Sequence, residues 1–152
     1  MKQLCDILDA KNIQYNWYVI GNAFTQEVYD DIYGLFKENP KVHFLGYKQN
    51  VYPYIKQMNY VALLTDREAC NLVLTEALIL GIPSIVTNFE GVEKQIRDKE
   101  NGIVLEMTND NKNYERRVND ILSLHSKLKE NIMQKDYSKE DIILIWKEWL
   151  NT

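Results

Sequence analysis

Apolar residues recur along this chain with a period that switches between about 3.6 and 2, which predicts alternating helices and strands. Leu4, Ile7 and Leu8 lie at helical spacing and predict a short amphipathic helix over Lys2–Lys11. Tyr15–Ile20 reads as a strand, Gly21-Asn22 as its turn, and Phe24–Phe36 as a helix whose core-packed face carries Val28, Ile32, Leu35 and Phe36. Asn39-Pro40 closes that helix, Val42–Leu45 begins the next strand, and Gly46 lets the backbone turn tightly. Val51–Met58 reads as a short connecting helix, with Pro53 tolerated in its first turn.

The stretch Val61–Thr87 organises the rest. It reads as a buried strand (Val61–Leu64), a polar turn (Thr65–Glu68), an apolar helix (about Cys70–Leu80), a Gly81-Ile82-Pro83 stop and a second buried strand (Ser84–Thr87). Strands apolar on both faces imply a parallel sheet covered by helices, so the predicted class is α/β, a Rossmann-like three-layer domain with a mostly parallel sheet. Ligands of such sheets sit outside the carboxyl ends of the strands, where the 65–68 turn falls. Beyond it come a polar loop (Asn88–Gly91), a helical turn or two (Val92–Arg97), an Asn101-Gly102 turn, a strand (Ile103–Leu105) and a polar loop (Thr108–Asn113). A long surface helix over Tyr114–Met133 follows, then a last helix capped by Ser138 and carrying Ile142, Ile145, Trp146, Trp149 and Leu150. That aromatic stripe either docks on the domain's own core or favours association, a homodimer included.

At 152 residues the chain suits one ordinary domain, read as a single unit over 1–152. A formal net charge of −4 provides no overall basic field, which argues against nucleic acid as a partner. Lys-rich surfaces leave a local, peripheral membrane contact open. Cys5 and Cys70 have no CxxC spacing and His43 and His125 stand alone, so no metal site or cofactor is predicted and reduced, cytoplasmic thiols are the default. The N-terminus carries two aspartates within its apolar pattern, unlike a signal peptide, and no apolar run approaches the ~18 residues of a spanning helix.

Two carboxylates frame the central turn and helix, Glu68 and Glu76. If both were helical, a rise of ~1.5 Å per residue would place them ~12 Å apart. A glycosidase pair needs about 5 to 9.5 Å, so the spacing argues against one and suits two ends of an extended ligand. Between them a helix N-terminus offers free N–H groups and a positive dipole to a diphosphate. A solvated stripe explains Glu68, Asn71 and Thr75 equally well. Glu76 falls off that stripe, among Leu72, Val73, Ile79 and Leu80, where a carboxylate is costly unless hydrogen-bonded. No D-x-D, P-loop, G-x-G-x-x-G or G-x-S-x-G pattern occurs.

The run T-D-R-E-A-C-N-L-V-L-T-E-A-L-I-L-G-I-P-S-I-V-T (Thr65–Thr87) resembles the donor-site signature of retaining glycosyltransferases of the GT-B fold, the large group 1 or family 4 class. W-Y-V-I-G-N (Trp17–Asn22), V-H-F-L-G-Y (Val42–Tyr47) and N-G-I-V-L (Asn101–Leu105) resemble that family's flanking strands, in family order. The resemblance implies one half of a GT-B fold, the C-terminal donor-binding domain, with its first strand and the N-terminal acceptor domain missing. It implies a hexosyltransferase-type enzyme of polysaccharide or lipid-linked glycan synthesis whose substrate is a nucleotide sugar such as a UDP- or GDP-sugar. By the same resemblance Glu76 holds ribose, Glu68 the donor sugar or its phosphate region as the catalytic-site carboxylate, and the amides of Asn71, Leu72 and Val73 the diphosphate. Lys2 matches the lysine that binds the donor diphosphate, although the family's companion arginine has no counterpart here, and a flexible terminal lysine is its plain alternative. Tyr47 lines the nucleobase loop and Glu90 faces the sugar, or both are merely solvated; the family's Gly-Gly pair is replaced by Phe89-Glu90-Gly91. Such a fragment is expected to be inactive alone. Rival readings are a related GT-B epimerase or phosphorylase fragment, and a non-catalytic nucleotide-sugar-binding or interaction module.

Overall fold

The structure, a computed structural model, describes residues 1–21, 25–67, 71–108, 110–135 and 137, without the side chain of Val28. The catalytic candidate Glu68, the start of the predicted helix at Phe24, and the last helix with Trp146 and Trp149 lie outside these residues. The chain forms two compact units, Met1–Val51 and Tyr52–Thr152.

The first unit contains α1 (Lys2–Ala10), β1 (Trp17–Ile20), α2 (Gln26–Phe36) and β2 (Val42–Gly46). β1 and β2 pair in parallel from Trp17↔Val42, with a register shift between Val19 and Ile20. Buried Cys5, Phe36 and Val42 hold its core, with Met1, Tyr15, Trp17, Val19 and Phe44 packed against them. The predicted apolar face of α2 is corrected here: Phe36 is buried, but Ile32 and Leu35 are exposed. Tyr33 and Tyr29, one turn apart and themselves exposed, meet the ring of Phe44 edge-on, so contact with the strand comes from the aromatic row as well as from Phe36.

The second unit contains α3 (Tyr52–Ile55), β3 (Val61–Leu63), α4 (Leu72–Ile79), β4 (Ser84–Thr87), a 3₁₀ turn (Val92–Lys94), β5 (Gly102–Leu105) and α5 (Asn111–Gln134). Its three-stranded sheet has the order β3-β4-β5, parallel throughout, with Val61↔Ser84 and Ser84↔Gly102 in register. Central β4 is buried at all four positions, whereas β3, an edge of this sheet, is only half-buried. The core comprises Leu74, Leu78, Val86, Phe89, Val92, Ile96 and Ile132. Phe89 therefore anchors a loop that its neighbours make look polar. α5 begins three residues earlier than the sequence predicts, because the Asp110 carboxylate accepts from the Lys112 N–H at 2.9 Å and caps it.

Gly102 is where β5 closes on β4. A Cβ there would stand 2.7 Å from both the Ser84 carbonyl oxygen and Ile96 Cγ2, so only glycine fits without displacement. α5 is tied to the turn before β5: Arg117 pairs with Asp98 at 2.9 Å, and Asn131 Nδ2 donates to the Glu100 carbonyl at 2.8 Å. Among the described residues no helix is long and apolar enough to cross a membrane.

Candidate functional site

The turn after β3 is tied to β4 by one side chain. The Thr65 N–H donates to Thr87 Oγ1 at 2.9 Å, and the Thr87 hydroxyl donates in turn to the Thr65 carbonyl. Thr65 then folds the next residues over itself, its hydroxyl donating to the Arg67 carbonyl at 2.8 Å. Thr87, buried at the carboxyl end of the central strand, thus fixes the path of the segment that leads toward Glu68.

α4 departs from the predicted wheel. Asn71 and Thr75, read as a solvated stripe, are 2% and 8% exposed, whereas Leu72 and Ile79 are about half exposed and Glu76 between them is half-buried. A helix spelled LVLTEALI is apolar nearly all round, so its pattern does not select the inward face. Tertiary partners select it: the sheet side takes Leu74, Ala77 and Leu78, and Gln95 takes the polar stripe. Gln95 Nε2 donates to Thr75 Oγ1 at 2.9 Å and reaches the Asn71 carbonyl at 3.5 Å.

The first turn of α4 is left unfinished. Its first internal donor is the Leu74 N–H, bonded to the Asn71 carbonyl at 3.1 Å, which leaves the Leu72 and Val73 N–H groups outside the helix's own bonding. Asn71 occupies the N-cap position but makes no capping bond. Among the described residues its buried Oδ1 and Nδ2 have no hydrogen-bond partner, nor has Gln95 Oε1.

Glu76 is met from α3. The Tyr52 hydroxyl donates to Glu76 Oε1 at 3.1 Å, and that bond, followed by the charge of the carboxylate, holds the Tyr52 hydroxyl above the ordinary tyrosine pKa. α4 thus brings Asn71, Leu72, Val73 and Glu76 onto its first two turns. Glu90 is exposed on the loop after β4. In the other unit Lys2 pairs with Asp6 at 2.7 Å, and Tyr47 is 69% exposed. Thr87, Gln95 and Tyr52 were not legible as site residues. A polar β-branched residue ending a buried strand is a signal for Thr87, whereas the other two act through partners 20 or more positions away. Among the described residues, no group of three or more His, Cys, Asp or Glu could hold a metal ion.

The family described as Glycosyl transferases group 1 matches residues 1–139 of this chain. An uncharacterized glycosyltransferase of Haemophilus influenzae is 27% identical over 146 residues, which is 93% of this chain and 41% of that protein. The crystal structure of WaaG, a glycosyltransferase involved in lipopolysaccharide biosynthesis, superposes with a TM-score of 0.74 at 17% identity, over 97% of this chain and 40% of WaaG. HepE of Anabaena, in complex with UDP-glucose, superposes with a TM-score of 0.69 at 17% identity, over 99% of this chain and 44% of HepE. The two structures share the fold. The chain spans less than half the length of each of these proteins.

Proposed function

Because this chain belongs to the group 1 glycosyl transferases, we propose that it is the donor-binding part of a retaining glycosyltransferase and takes a nucleoside-diphosphate sugar. The observation that carries this reading is the unfinished first turn of α4. The Leu72 and Val73 amides, which lie outside the helix's own bonding, and an N-cap asparagine that does not cap leave donors at an end that favours a bound anion. In the proposed complex the amides and helix dipole meet the diphosphate, and Glu76, one turn on, meets the ribose diol. Glu68, the carboxylate that the resemblance assigns to the donor sugar, positions that sugar. As the sugar leaves, negative charge grows on the diphosphate, and fixed N–H dipoles stabilise it without reorganising. We assign the acceptor site to the part of the relatives that this chain does not span. UDP and UDP-glucose are bound by structural neighbours and are therefore the first donors to test.

A saturation-transfer NMR screen of UDP-, GDP- and ADP-sugars against the chain tests this. At least one nucleotide sugar should bind, its unphosphorylated nucleoside should bind far more weakly, and Leu72 and Val73 amide resonances should move in the ¹⁵N spectrum. Binding indifferent to the diphosphate would overturn the reading.

A further inference from the structure

We infer that Tyr52 is a positioning residue for Glu76: its hydroxyl, donating to Oε1, turns the carboxylate so that its remaining acceptor directions face a nucleotide's ribose diol. The inference rests on the reading of Glu76 as the ribose carboxylate and adds a residue to that site.

Three observations carry it. Glu76 stands on the half-exposed face of α4, between exposed Leu72 and Ile79, where no neighbour on its own helix can orient it by hydrogen bonding. A glutamate there has three rotatable bonds, and an unordered carboxylate would lose rotamer entropy on gripping a diol. The group that does reach it comes from 24 positions earlier, through a 3.1 Å bond. Tyr52 is a rigid ring with two torsions at the first position of α3, and Pro53 follows it with its φ already fixed. An ionised carboxylate offers about four lone-pair directions over two oxygens, so one tyrosine donor fixes it and leaves room for two ribose hydroxyls.

The test compares UDP with 2′,3′-dideoxy-UDP by calorimetry on the full chain, for the wild type, Tyr52→Phe, Glu76→Gln and the double variant. The wild type should favour the diol. Tyr52→Phe should weaken UDP roughly threefold to tenfold, leave the dideoxy nucleotide unchanged and add little to Glu76→Gln. A purely structural role would weaken both nucleotides alike, and that result overturns the inference. Tighter UDP binding by Tyr52→Phe would also overturn it, since the hydroxyl would then be a competitor for the ribose position. If Glu76→Gln leaves the preference for the diol intact, or the wild type shows none, the ribose reading falls and this inference with it. If Glu76→Gln abolishes the preference while Tyr52→Phe keeps it, only the inference falls.

Discussion

The Glu76 carboxylate shows how the grounds for a proposed site residue change once its surroundings are seen. The helical wheel places it among Leu72, Val73, Ile79 and Leu80 and predicts a desolvated charge in need of a ligand. The first and third of these are half exposed, so the carboxylate is not under that pressure and already has Tyr52. Its proposed role rests instead on the family match and on its place one turn beyond the first-turn amides of α4. Glu76→Gln keeps the shape and one acceptor oxygen while removing the charge. It should weaken nucleotide binding by ~1–3 kcal/mol, the range for hydrogen bonds to a charged group, with the fold intact. Calorimetry beside a circular dichroism melt checks both halves of that expectation.

Among the elements, the β3–α4–β4 unit was the most legible. Its strands and its stop at Gly81, which takes φ +74, match the sequence reading because each signal is local. What holds its turn was not legible, since the Thr65–Thr87 pairing joins residues 22 apart. Thr87→Val keeps the shape but leaves a backbone N–H and C=O unpaired. It should cost about 1–3 kcal/mol of stability and loosen the donor site, read as a lower urea midpoint together with weaker nucleotide binding. Gly102→Ala tests the β4–β5 contact, where the added methyl meets the Ser84 carbonyl and Ile96. The expected cost is roughly 1–3 kcal/mol, a melting temperature lower by a few degrees, with donor affinity unchanged because no donor-site residue moves. Equal loss of affinity in both variants would mean that the site responds only to global stability.

At the scale of the whole molecule, the match to the family over residues 1–139 stands beside a coverage of only 41% of the Haemophilus influenzae relative. Donor binding and sugar transfer should therefore separate. The purified chain is expected to bind a nucleotide sugar yet transfer nothing to an added acceptor, measured by release of the nucleoside diphosphate. Robust transfer by the chain alone would refute the assignment of the acceptor site to the unspanned part of the relatives.

The sequence by itself determined the order of the elements, the α/β class and the family, because periodicity, turn residues and the Thr65–Thr87 signature are written in neighbouring positions. It also placed Asn71, Leu72, Val73 and Glu76 on one helix. Only the tertiary structure decided which way that helix faces. Where nearly every side chain is apolar, burial is settled by which partners arrive from elsewhere, here Gln95 against Thr75 and Tyr52 against Glu76. The same holds for α2, where Phe36 is buried, Ile32 and Leu35 are exposed, and Tyr29 and Tyr33 reach the ring of Phe44 on β2. Such choices depend on contacts between residues distant in the chain, which local spacing does not encode.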